Sequence, residues 1–200
     1  GMKAGPDKVV DVIRRAGIPT SVALMPTPSI SLGVASPHVI DMAAAYATFA
    51  ANGTYAKPYL INSVTGPSGN LLYQATQSTS QAFSADVMAD LDYALQQVTQ
   101  YGTGTGAAVG ISRPIAGKTG TTTDNASAWF NGYTPQLATS VAFFRDDATQ
   151  TLNGIGGLNS VTGGSFPARI WNLYTRVAQK SDPVEQFPAP ANIGGTDPVS

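Results

Sequence analysis

The chain contains no cysteine. That absence excludes a disulfide scaffold, a Cys-ligated zinc site and a thiol nucleophile. A single histidine, His38, excludes the paired-histidine metal motifs. Charge is scarce as well: 12% of the 200 residues are charged, about half of the ~25% usual for a globular domain. Eleven basic residues face 12 acidic ones, for a net charge of −1. A nucleic-acid binder needs a basic surface, so that class is excluded. No apolar run approaches the ~20 residues that cross a bilayer, and no signal-peptide pattern opens the chain. Nothing in the sequence calls for a metal or another cofactor.

What is present is small and turn-rich. Glycine numbers 21 and proline 14, with 42% hydrophobic residues. The length predicts one domain, large enough for a core without covalent staples. Low charge and the lack of cysteine fit an extracytoplasmic protein. Gly1-Met2-Lys3 runs straight into a helical pattern, which suggests a cloning remnant or a piece of a longer chain.

Gly5-Pro6-Asp7 predicts a helix start, with Val9, Val10, Val12, Ile13 and Ala16 as its apolar face and Gly17 as a left-handed stop. An ordered loop follows over 18–35. Ser36, as N-cap before Pro37, predicts a second helix carrying Met42, Tyr46 and Phe49. A strand is expected over 55–64, broken near Pro58, then a turn and a returning arm at Leu71–Gln74. The stretch 74–83 reads as polar loop. Ser84 caps a third helix with Val87, Leu91, Ala94, Leu95 and Val98 on one face. Gly102 to Gly110 reads as a helix stop and mobile loop. Strands are expected over 114–121, 128–133 and 137–145, then a flexible stretch over 154–164. The last helix spans 167–178 with Ile170, Trp171, Tyr174 and Val177 on one face, and 181–200 reads as a Pro-rich disordered tail.

Few segments invite chemistry. Gly117-Lys118-Thr119 lacks the upstream glycine of a phosphate loop, since position 112 is Ser. The glycines at 102, 104 and 106 follow a helix, where a dinucleotide fingerprint follows a strand. His38 has no Ser–Asp arrangement nearby and reads as structural. Asp86, Asp90, Asp92, Asp146 and Asp147 read as solvated acids. Lys118-Thr119-Gly120-Thr121 differs from these. On a regular strand Lys118 and Gly120 point one way, Thr119 and Thr121 the other. Gly120 lets a substrate backbone lie close, exposed backbone groups accept an extended peptide, and the Thr121 N–H can donate to an oxyanion. An edge strand with a protective lysine explains the tetrapeptide equally well.

Ala116-Gly117-Lys118-Thr119-Gly120-Thr121-Thr122, followed by Ala128-Trp129-Phe130-Asn131-Gly132-Tyr133-Thr134-Pro135, resembles the end of a penicillin-binding protein transpeptidase domain of class A. Other segments match in the same order: Ser36-Pro37 with Met42 to Gly53, Gly102 to Thr105, and Gly163-Gly164 with Pro167 to Trp171. The match covers roughly residues 1–180, leaving 181–200 as tail. Lys-Thr-Gly is the third motif of that fold, after Ser-x-x-Lys and a Ser-x-Asn-type motif.

The resemblance implies an α+β fold, an antiparallel sheet flanked by helices. It implies a serine that attacks the D-Ala-D-Ala bond of a peptidoglycan stem peptide, forms an acyl-enzyme and is also acylated by beta-lactams. Lys118 would orient the Ser-x-Asn serine and supply positive potential. Thr119 and Thr121 would bind the substrate carboxylate. The Thr121 N–H would form half of the oxyanion hole, and Gly120 and Thr122 would complete the substrate-binding wall. Two departures stand out. Ser127 occupies a place where the family often has an acid. No Ser-x-x-Lys occurs anywhere, and Ser68-Gly69-Asn70 lies in a turn rather than where the family's motif belongs. The expectation is therefore one wall of a site on the outer face of the bacterial membrane, whose nucleophile belongs to a preceding N-terminal fragment, with the chain inactive by itself. A beta-lactamase or beta-lactam sensor relative, and a non-catalytic cell-wall binding module, are the alternatives.

Overall fold

The computed structural model describes residues 3–147 and 149–194. Helix α1 spans Pro6–Ala16, with Pro6 in its first turn and Gly17 in the left-handed conformation behind it. Arg14 then fastens the next loop by donating to the carbonyls of Ile18 (3.2 Å), Pro19 and Val22 (2.7 Å). Helix α2 covers Val39–Ala50. Its N-cap is His38, two residues past the serine expected there. The Asp41 carboxylate accepts the His38 backbone N–H at 3.0 Å, so a reciprocal acidic cap replaces a serine cap.

The expected single strand over 55–64 is two short ones. β1 (Thr54–Ala56) and β2 (Ser63–Thr65) are separated by the segment containing Pro58, which has no N–H to continue a ladder. β3 (Leu71–Gln74) pairs with β2 as the expected hairpin. The supposed polar loop contains β4 (Thr79–Gln81), which pairs antiparallel with β1. Its Thr-Ser-Gln sequence carries no apolar alternation to reveal it. Helix α3 spans Ala85–Gln100, and Ser84 accepts the Val87 N–H at 3.5 Å.

The main sheet comprises β5 (Ala116–Thr121), β6 (Ser127–Tyr133) and β7 (Ala138–Phe144), antiparallel in the order β5-β6-β7. Helix α4 (Phe166–Ala178) lies on one face, where the Phe130 and Trp171 rings meet edge-on at 5.4 Å. The other face carries α2 and α3. There Tyr133 meets the Tyr46 ring at 6.1 Å and donates a buried hydrogen bond to Asp92 at 2.6 Å. The α+β class is therefore observed directly, with helices against both sides of an antiparallel sheet. A second core, around Ala16, Ile18, Val22, Ala45, Phe83 and Met88, joins the helices.

Two helix faces differ from expectation by about one residue. α3 buries Met88, Ala89, Asp92 and Thr99 and leaves Val87 exposed. α4 buries Ala168, Trp171, Asn172 and Thr175 and leaves Ile170, Tyr174 and Val177 outside. Hydrogen bonds make burial of Thr99 and Asn172 tolerable, whereas the Thr175 hydroxyl has no partner among the described residues. Thr99 donates to the Ile115 carbonyl (3.0 Å), and Asn172 to those of Ala107 (2.8 Å) and Val109 (3.0 Å).

Residues 181–194, within the expected Pro-rich tail, form no helix or strand but run back across the molecule. Phe187 packs edge-on against Tyr133 at 5.5 Å. The Asp90 carboxylate accepts the N–H groups of Asn192 (2.7 Å) and Ile193 (2.9 Å). The remainder of that segment, 195–200, lies outside the described residues, as does Gly1.

Candidate functional site

β5 is an edge strand, and it carries Lys118-Thr119-Gly120-Thr121 in regular register: Lys118 opposite Asn131, Thr119 opposite Phe130, Gly120 opposite Trp129, Thr121 opposite Ala128. Phe130 faces α4, so Thr119 and Thr121 share that side. Asn131 shares the side of Tyr133, so Lys118 shares the α2/α3 side. The exposed Lys118 Nζ donates to the Thr119 carbonyl at 3.0 Å.

On the Thr119 side a shallow depression of about 460 Å³ is lined by Thr103, Thr119, Thr121, Thr162, Gly164 and Ser165. Every lining residue but Gly164 bears a hydroxyl, beside methyl and backbone surface, and none is a carboxylate. Thr103 and Thr119 share a hydrogen bond between hydroxyls at 2.6 Å. One of their two protons is used in that bond, and the other is free to donate. The Thr121 hydroxyl accepts the Gly163 N–H at 3.1 Å, so its own proton also remains free. Ser165 Oγ is engaged with Thr162, accepting its N–H at 2.9 Å and donating to its carbonyl at 2.7 Å. Free donors without a competing acid suit an anionic group such as a carboxylate.

Glycine makes this wall possible. A Cβ on Gly163 would lie 2.2 Å from the Trp129 carbonyl oxygen and 2.7 Å from that of Gly120. One on Gly164 would lie 2.3 Å from the Thr103 carbonyl oxygen. Only glycine lets the segment before α4 lie this close to β5 and β6. The stretch 154–164, expected to be flexible, is pinned. Leu152 and Val161 are buried with Ala128, and an Asn153–Ser160 bridge closes it. The loop after α3, expected to be mobile, also packs closely, with Ala107 fully buried.

The structure thus brings Thr119 and Thr121 together in the depression and places Lys118 on the other face of the same edge. Thr122 turns away into the β5–β6 connection, where its hydroxyl accepts the Ser127 N–H at 2.8 Å. Sequence reasoning assigned no role to the Thr103, Thr162 or Ser165 side chains. The signal available was a hydroxyl beside each close-packing glycine pair. His38 sits exposed at the α2 N-terminus, 3.2 Å from Asp41 through Nδ1. Among the described residues no cluster of His, Cys, Asp or Glu is arranged to hold a metal, and no helix is long and apolar enough to cross a membrane.

Away from the depression, burial pushes the Asp92 carboxyl up to about 6, against the opposing effect of the Tyr133 hydrogen bond. Burial raises Tyr46 to about 12. Tyr133 is raised by burial first, then by the charge of Asp92 and the hydrogen bond to it.

The fold is an antiparallel sheet flanked by helices on both faces, with Lys118-Thr119-Gly120-Thr121 on its edge strand beside the depression, and this is the architecture of a transpeptidase domain. The chain belongs to the penicillin-binding protein transpeptidase family, whose domain model matches residues 16–151. It is similar to penicillin-binding protein 1A of Mycolicibacterium smegmatis, 36% identical over 177 residues, covering 85% of this chain and 22% of the relative. Penicillin-binding protein 1A of Mycobacterium tuberculosis is 32% identical, with 97% of this chain and 26% of the relative covered. These relatives are class A proteins. The solved structure of PonA1 from M. tuberculosis superposes with a TM-score of 0.84 at 32% identity, over 94% of this chain and 53% of that one. A second structure of that protein, in complex with penicillin V, gives 0.84 at 31% identity, over 92% of this chain and 53% of that one. The chain thus spans about a quarter of the curated relatives' length and about half of the solved ones.

Proposed function

We propose that this chain forms one wall of a peptidoglycan DD-transpeptidase site outside the cell membrane, with the acylated serine on a segment outside this chain. The observation that carries the reading is the Lys118-Thr119-Gly120-Thr121 edge of β5 beside donors free to bind a carboxylate. A stem peptide, or a beta-lactam in its place, lies along that edge. It meets the Thr119 and Thr121 hydroxyls from one face and the Lys118 ammonium from the other. Gly120 lets its backbone approach, and the Thr121 N–H donates to the oxyanion that forms when the serine attacks. Thr122 supports the wall through the β5–β6 turn. Lys118 orients the serine of the Ser-x-Asn motif and aids proton transfer to the leaving group.

An exposed apolar stripe supports a segment of the same domain as partner. Ile170, Leu173, Tyr174 and Val177 lie at helical spacing on the outer face of α4 and are 43–76% exposed. The relatives' additional length supplies candidates to cover it.

Fluorescent penicillin tests the reading. The 200-residue chain is expected to show no covalent adduct, and one would place a nucleophile within it. In the full-length protein, Lys118→Ala is expected to slow acylation at least a hundredfold. Acylation at the wild-type rate would remove Lys118 from the site. Rapid nitrocefin hydrolysis by the full-length protein would favour a beta-lactamase instead.

A further inference from the structure

Lys118, Asn131 and Ser140 occupy one continuous cross-strand row over β5, β6 and β7. Directly opposed residues of an antiparallel pair share a face, with their Cβ atoms about 4.5–5.5 Å apart. The row lies on the α2/α3 side of the sheet. Asn131 is only 6% exposed. Its Oδ1 is buried without a hydrogen-bond partner among the described residues, and so is the neighbouring Ser140 Oγ. Two adjacent orphaned polar atoms beside the proposed reactive lysine are unusual, because buried polar groups are nearly always paired. An apolar pair at these positions would pack the sheet against α2 without leaving any polar group unsatisfied.

We propose that Asn131 is a positioning residue for Lys118. In the working site its Oδ1 accepts from the Lys118 ammonium, while Ser140 Oγ accepts from Asn131 Nδ2 and fixes the orientation of the amide. This rests on the reading of Lys118 given above. Among the described residues the ammonium donates to its neighbour's carbonyl alone, at the exposed rim. Rotation of the lysine side chain exchanges that contact for the Asn131 oxygen and carries the charge back over the sheet. The lysine then has a fixed position from which to orient a serine, and both orphaned groups are satisfied.

The test is a double-mutant cycle in the full-length protein, read as the second-order rate of acylation by fluorescent penicillin with Tm measured alongside. Asn131→Val removes the acceptor and leaves an apolar side chain in its place. It is expected to slow acylation about tenfold, the size of one hydrogen bond to a charged group, with Tm unchanged or higher. Asn131→Asp keeps an acceptor and is expected to stay within about threefold of wild type. In a Lys118→Ala background, Asn131→Val is expected to have no further effect. The positioning role is overturned if Asn131→Val acylates at the wild-type rate, if Asn131→Asp is as slow as Asn131→Val, or if Asn131→Val costs as much without Lys118 as with it. Wild-type acylation by Lys118→Ala alone would instead overturn the underlying reading of Lys118.

Discussion

Lys118 and Thr119 are chain neighbours that serve opposite faces of β5, and strand alternation alone predicts this. What alternation does not predict is the company each one keeps. Thr119 meets Thr103, which lies in a loop 16 residues earlier, at 2.6 Å. Thr103→Val in the full-length protein is therefore expected to weaken beta-lactam binding about three- to tenfold through the lost donor, with little change in the limiting acylation rate. Concentration-dependent labelling separates the two, and a loss confined to the limiting rate would contradict a binding role. Asp92 is a second case. The sequence suggested a solvated acid, yet Tyr133 and the sheet bury it. Its carboxyl, at about 6, lies above the ordinary ~3.9, so the folded protein holds that proton more tightly than the unfolded chain does. The resulting stabilisation is full below about pH 4 and is lost as pH rises through about 6. Asp92→Asn keeps an acceptor for Tyr133 and removes the titration. Its Tm is expected to stay near wild type at pH 4 and exceed it above pH 6. Parallel Tm curves across that range would rule out Asp92 as the source.

At the scale of elements, the three strands of the main sheet and the helices α1 to α4 were legible, because turn residues bracket each one and apolar periodicity runs through it, although the α2 cap fell two residues later than expected. β4 was not, since a three-residue polar strand against β1 has no pattern of its own. The buried faces of α3 and α4 were misread for a related reason. Periodicity finds the apolar stripe, but on α4 Ile170, Tyr174 and Val177 of that stripe are exposed, and the sheet receives its Trp171 together with hydrogen-bonded Asn172. Trp171 fills the space over Phe130, and its indole N–H donates to the Gly132 carbonyl at 3.1 Å. Trp171→Ala is expected to cost about 3–5 kcal/mol in urea unfolding. A cost below about 1 kcal/mol would mean that α4 is not anchored there.

For the whole molecule, the C-terminal segment joins parts that are distant in sequence. Arg113 donates to the carbonyls of Gln179 (2.7 Å) and Asp182 (3.1 Å), Phe187 caps Tyr133, and residues 192–193 close on Asp90 of α3. Ending the chain after Lys180 is expected to lower Tm by roughly 4–8 °C, the shift that about 2 kcal/mol produces at this size. An unchanged Tm would show that these contacts add nothing in solution. The sequence by itself determined the order of the helices and of the main-sheet strands, the family and the Lys-Thr-Gly-Thr edge. Those rest on short-range patterns: caps, alternation and motif residues within a few positions of each other. Only the tertiary structure decided which helix faces are buried, that Thr103 joins Thr119, that Gly163 and Gly164 close the wall, and that Asn131 and Ser140 lie in a row with Lys118. Each of these depends on residues far apart in the chain meeting at close range, and no local pattern carries that information.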